Sequence, residues 1–165
     1  MVVQLLKETG LEPRSLKLEI TESAIMDNID FAVQVFTRLQ ELGVQIQVDD
    51  FGIGYSSLNY LSHFPINTLK IDRTFVRNMT IDSNYLKIVQ AIIMLAHGLG
   101  MSVIAEGVET EAQLNQIKAL GCELAQGFYI SKPWDVKGLS QLLAKTFAGD
   151  NRFSNRASTA RESVS

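Results

Sequence analysis

The chain has 165 residues and a mass of 18.3 kDa, enough for one core, and its 46% apolar and 20% charged residues are ordinary for a globular domain. A net charge of −3 and a pI near 5.4 leave no general basic surface for long nucleic acid. No apolar run approaches bilayer length, the N-terminus lacks a signal-peptide layout, and a lone Cys122 can form no internal disulfide, so a cytoplasmic chain with Cys122 in its core is expected.

Residues 1–9 carry Val3, Leu5 and Leu6 and read as the end of a helix closed by Gly10; a chain that opens inside a helix implies sequence upstream. Residues 16–22 alternate apolar and polar and predict a strand. Leu16, Leu18 and Ile20 share one face, and Lys17, Glu19 and Thr21 the other, so Glu19 would face a barrel interior if the leucines face helices. From Asn28 to Leu42, Phe31, Val35, Leu39 and Leu42, with Ala32 and Phe36, form a helical stripe predicted to be core, and Gly43 ends it.

The run from Val44 to Val48 is a strand that ends abruptly in Asp49 and Asp50, followed by Gly52-Ile53-Gly54 and serines able to cap a helix. An isolated Asp-Asp pair is most often a solvated turn. At a strand's carboxyl end in an alternating strand-helix chain, however, two neighbouring carboxylates repel each other unless a cation offsets them, and a divalent metal is the natural cation. A short helix from Ser57, broken by Pro65, precedes a strand over 68–72. There Lys70 is either a surface lysine at a strand edge or an inward donor to phosphate or water.

Asp82 or Ser83 can cap a long helix with Leu86, Val89, Ile92, Ile93, Ala96 and Leu99 on one face. His63 and His97 have no second histidine at ligand spacing and read as structural or solvated. A fourth strand over 101–107 ends in Glu106. Thr110 to Gln113 fits a capping box, and Leu114, Ile117 and Leu120 line the helix that Gly121 stops. A fifth strand is predicted over 124–130. Asp135 starts a last helix through Leu139, Leu142 and Leu143, and the chain beyond Gly149 is a polar tail expected to be disordered.

Five strands alternating with helices predict a parallel sheet covered by helices. An open doubly wound sheet would satisfy that pattern, but polar residues at all five strand ends suit a barrel whose loops converge on one site. A full eight-unit barrel needs roughly 200 residues or more, so about three units would be absent.

Leu18-Glu19-Ile20-Thr21-Glu22-Ser23, Asp49-Asp50-Phe51-Gly52-Ile53-Gly54-Tyr55-Ser56-Ser57-Leu58, Leu69-Lys70-Ile71-Asp72, Ala105-Glu106-Gly107-Val108-Glu109 and Gln126-Gly127-Phe128 stand in one order and spacing. With these motifs the chain resembles the bacterial EAL domains, the phosphodiesterases that hydrolyse cyclic di-GMP in signal transduction. The resemblance implies an α/β fold, a TIM-type (β/α)8 barrel of that family, here incomplete with about five βα units. It spans residues 1–148, with 149–165 as the tail. It also implies cleavage of one phosphodiester of cyclic di-GMP to linear pGpG with two Mg2+ or Mn2+ ions.

By the same resemblance Glu19, Asp49, Asp50 and Glu106 are metal ligands, with Asp49 shared between the ions. Lys70 would hold the attacking water, Glu106 would also help as base, and Gln126 would contact water on the metals. Glu22 would anchor the loop from Phe51 to Leu58, which in the family couples metal binding to dimerisation. The Glu-Ala-Leu motif and the Asn-containing strand after it, each a source of one ligand, are absent from the sequence. Ile53 also stands where the family has a small or hydroxylated residue. Three readings follow: the C-terminal portion of a phosphodiesterase, impaired by itself; a catalytically incomplete module that binds cyclic di-GMP or a protein partner; or a fragment without independent function. The chain is expected to pair with itself or with a missing N-terminal segment.

Overall fold

Five short strands form one parallel sheet in the order of the chain: β1 (Lys17–Thr21), β2 (Gln45–Phe51), β3 (Thr68–Ile71), β4 (Ser102–Ala105) and β5 (Leu124–Ala125). The computed structural model describes residues 1–26, 28–53 and 61–140. Pairings such as Glu19 with Gln47, Gln47 with Thr68, and Lys70 with Ile104 bring the carboxyl ends of the strands to one edge of the sheet. The connections are helical: α1 (Val2–Thr9) precedes β1, α2 (Glu22–Met26) and α3 (Ile29–Glu41) follow it, α4 (Arg73–Asn78) and α5 (Ser83–Gly98) follow β3, and α6 (Glu111–Ala119) follows β4.

Side chains set where these helices begin. Asn28 accepts from the Phe31 amide at 3.1 Å, and Asp72 and Asp82 each accept from the amide two residues on at 2.8 Å. The Thr110–Gln113 capping box forms as the sequence predicts. Gly10, left-handed at φ 66°, closes α1.

Val48, Leu69, Ile71, Val103 and Ala105 on the strands pack with Phe36, Val76, Val89, Ile93, Ala96 and Ile117 from the helices into one core. Cys122 is part of it. Its thiol donates toward the carbonyls of Val103 and Leu124, and burial pushes its pKa up to about 11. At the opposite edge from the carboxyl ends, His97 at the close of α5 bonds Glu123 at 2.9 Å, and Glu123 accepts the Val103 amide at 3.0 Å. Among the described residues no helix is long and apolar enough to cross a membrane.

Several elements depart from the sequence expectation. Along α3, Ala32 and Phe36 are buried whereas Phe31 and Leu42 are exposed, because the 13-residue helix presents a narrower stripe to the sheet than its apolar content allows. The short α2 and α4 have too few residues to show a period and were not anticipated. β5 stops at Ala125 instead of running to Ile130: the Ile130 and Ser131 amides turn back to the Gly127 carbonyl. The predicted helix from Ser57 falls largely on residues outside the described ones, as do Leu142, Leu143 and the 149–165 tail.

Met1–Ser131 is one compact unit, and Lys132 begins a second. In the second, residues 136–140 are helical, and Asp135 accepts the Gly138 amide at 2.7 Å, the helix start the sequence predicts.

Candidate active site

A lysine flanked by apolar residues decides the arrangement. Lys70 on β3 is only 3% exposed, with its ammonium 3.0 Å from Glu19 at β1, 3.0 Å from Asp49 at β2 and 2.7 Å from Glu106 just past β4. The inward alternative for Lys70 is therefore the correct one. Parallel pairing sets the three carboxylates around it, since Lys70 lies between β2 and β4 and Glu19 reaches across from β1. Burial disfavours the Lys70 charge, but bonds to Glu106, Glu19 and Asp49 outweigh it and hold the ammonium well above its ordinary pKa. Burial raises the Glu106 carboxyl above its usual range; Lys70 opposes this, and the Asp49 and Glu19 charges add to it.

Asp49 and Asp50 would project to opposite faces of a regular strand. A β-bulge prevents that: the step from Val48 to Phe51 on β2 is matched only by Leu69 to Ile71 on β3. Asp50 takes φ 55°, the left-handed region that Asp tolerates better than most residues, and its amide bonds the Asp49 carboxylate at 3.0 Å. As a result Asp49, Asp50 and Glu106 each offer an oxygen within 4.8 Å of the others, a group able to hold a cation. Glu19 stands outside that triad and joins the site through Lys70.

Glu22 does not reach this cluster. It is 5% exposed at the start of α2, where one carboxylate oxygen accepts the Gly52 amide at 3.3 Å and the other has no hydrogen-bond partner among the described residues. Gly52 is left-handed at φ 100°, and a Cβ there would press on the Phe75 ring, so the loop start is pinned on both sides. Residues 54–58 of that loop lie outside the described residues.

Gln126 follows β5, its amide bonded to the Ala105 carbonyl at 2.8 Å. With Glu106 it lines a cleft of about 230 Å3 that also takes in Arg73, Glu109 and Phe128. Sequence reading missed Arg73 and Glu109 as site residues. Both lie directly behind a strand end, Arg73 after Lys70-Ile71-Asp72 and Glu109 after Glu106-Gly107-Val108, and that position was the available signal.

The family model described as EAL domain matches residues 1–133. The chain belongs to the EAL domain family. Among curated relatives, the EAL protein named cyclic di-GMP phosphodiesterase NbdA, of Pseudomonas aeruginosa, is 44% identical over 138 residues, which is 84% of this chain and 18% of NbdA. Among solved EAL structures, the Pseudomonas aeruginosa MucR phosphodiesterase in complex with c-di-GMP superposes with a TM-score of 0.81 at 43% identity, covering 84% of this chain and 56% of that one. A manganese and c-di-GMP complex of Klebsiella pneumoniae BlrP1 superposes with a TM-score of 0.75 at 33% identity, over 80% of this chain and 34% of that one. The chain spans about a fifth of the length of the curated relatives it matches. The five-stranded parallel sheet is accordingly part of an EAL-type (β/α)8 barrel.

Proposed function

We propose that this chain carries the metal-binding and reactive residues of a cyclic di-GMP phosphodiesterase that yields linear pGpG. The observation behind this reading is the convergence of Glu19, Asp49, Lys70 and Glu106 from four consecutive strands on one point, with Asp50 folded in by the bulge. An all-oxygen donor set fits hard divalent ions, so Mg2+ or Mn2+ suits it better than a softer metal. Asp49, Asp50 and Glu106 would hold the ions, with Glu19 beside them. Such ions, when bound, bring the pKa of water toward neutrality and offset charge on the phosphate.

Lys70, already charged and aimed at the cluster, orients the attacking water and offsets developing negative charge. Glu106, beside Lys70 and the Asp49–Asp50 pair, takes the proton of that water. Gln126 donates from the neighbouring strand end. Water adds at phosphorus, the bond to the ribose O3′ breaks, and O3′ leaves as a hydroxyl while the 5′-phosphate stays on pGpG. Glu22 holds the start of the following loop through Gly52.

A second reading, a binding module with reduced turnover, is favoured by Glu19: its side chain is 49% exposed on a strand that, among the described residues, is paired on one side only. Conversion of cyclic di-GMP to pGpG by the purified chain in Mg2+ or Mn2+, with Asp49→Asn beside it, separates the two. Turnover lost in the variant supports the enzyme. A folded chain that binds the dinucleotide without turnover supports the module, and neither binding nor turnover refutes both.

A further inference from the structure

One buried polar side chain near the Lys70 cluster has no part in the chemistry proposed above. Gln47 lies two residues before Asp49 on β2 and shares its face, while Ile46 and Val48 point the other way into the core formed with the helices. It is 3% exposed, and its Nε2 has no hydrogen-bond partner among the described residues. The interior of a (β/α)8 barrel is ordinarily filled by Val, Ile and Leu, so packing does not account for a glutamine there. A buried donor left unpaired costs stability that an apolar side chain of similar size would not.

The register narrows the acceptor to two. Gln47 pairs with Glu19 on β1 and with Thr68 on β3, and neighbouring strands run about 4.8 Å apart, so both side chains are within reach of its amide. All three face the side of Lys70, since Glu19 bonds Lys70 and Thr68 precedes it by two residues. Thr68 is 6% exposed, β-branched and therefore stiff, and it offers a neutral hydroxyl. Glu19 offers a charged carboxylate, which makes a hydrogen bond roughly twice as strong, and its half-exposed side chain can shift. Lys70 takes one of its oxygens, at 3.0 Å. Glu19 also needs the support, because it stands outside the triad of Asp49, Asp50 and Glu106 and shares the Lys70 ammonium with Asp49 and Glu106.

We propose that Gln47 is the positioning residue of Glu19: its Nε2 donates to the carboxylate oxygen that Lys70 leaves open and holds Glu19 toward the ion-binding triad. Gln47 acts through Glu19, not on an ion or substrate itself. This rests on the ion site of the function proposed above.

Mn2+ binding to the full 165-residue chain, followed by the electron paramagnetic resonance signal of free Mn2+, tests this beside melting curves in metal-free buffer. Gln47→Leu removes an unpaired donor at similar volume, so its Tm should equal or exceed that of wild type while its Mn2+ affinity falls roughly 10- to 100-fold. In a Glu19→Ala background, which keeps the triad, the same change should alter affinity less than about 2-fold, because the residue it acts through is gone. Thr68→Val should leave affinity as it was. Unchanged affinity in Gln47→Leu, an equal loss in the Glu19→Ala background, a Tm that falls along with the affinity, or a Thr68→Val chain that matches Gln47→Leu would each overturn the positioning role alone. A wild type that binds no Mn2+ would overturn the ion site proposed above, and the role of Gln47 with it.

Discussion

Without the Lys70 ammonium, Glu19, Asp49 and Glu106 would face one another with no positive charge between them. Breaking a buried ion pair by removing one partner costs about 3–5 kcal/mol, and the part exposure of these carboxylates places Lys70→Met toward the lower figure, a fall in Tm of roughly 10 °C. A divalent ion should replace the missing charge, so saturating Mg2+ should raise the Tm of Lys70→Met more than that of wild type. Equal shifts in the two melts would contradict the charge-balance role. Asp50 gives a complementary case in which function and stability separate. Its φ of 55° suits glycine at no steric cost, so Asp50→Gly should melt within about 1 kcal/mol of wild type while losing metal affinity. Asp50→Val, β-branched at the same backbone angle, should be clearly destabilised in the same denaturant titration.

At the scale of elements, what was legible followed from regular patterns. The alternation of residues 16–22, the apolar stripe that begins at Asn28 and the capping signals at Asp82 and Thr110 set β1, α3, α5 and α6 where they are observed. The bulge in β2 was not legible, because nothing in Val48-Asp49-Asp50-Phe51 announces an extra residue; it exists only against the register of β3. β5 stops short for a similarly non-local reason: a Cβ on Gly127 would collide with the Val108 backbone, and the chain turns there. Likewise the bond of His97 to Glu123 joins residues 26 apart and is invisible to periodicity. It does predict a pH effect. Burial raises the Glu123 carboxyl, but the Val103 amide, its own backbone amide and His97 together outweigh this, so its folded pKa is depressed below the unfolded one. A depressed carboxylate stabilises above its unfolded pKa of about 4.3 and loses that contribution as pH falls through the folded value. Wild-type Tm should therefore drop more steeply than that of Glu123→Gln on acidification below about pH 5. Parallel Tm curves would show that the contact contributes nothing.

The whole sheet has two ends, since among the described residues β1 pairs only with β2 and β5 only with β4. β1 is the longer edge, and its outward groups can be assigned. The Leu16 carbonyl accepts the Gln45 amide at 3.0 Å, so by alternation the amides of Lys17 and Glu19 point away from β2. Helix α1 ahead of it buries none of its residues, leaving Val3 and Leu5 exposed, and Gln47 on the next strand is 3% exposed with an Nε2 that has no partner among the described residues. Unpaired strand amides, uncovered apolar residues and an orphaned buried donor all gain by acquiring a neighbour. The 165-residue chain by itself should therefore associate at micromolar concentration in sedimentation velocity. Proline at Lys17 discriminates the cause: it removes an amide that the β1–β2 ladder does not use and blocks an incoming strand. Lys17→Pro should then remain folded by circular dichroism while its sedimentation shifts toward monomer. A wild type already monomeric at that concentration would refute association, and a Lys17→Pro variant as associated as wild type would place the contact elsewhere than the β1 edge.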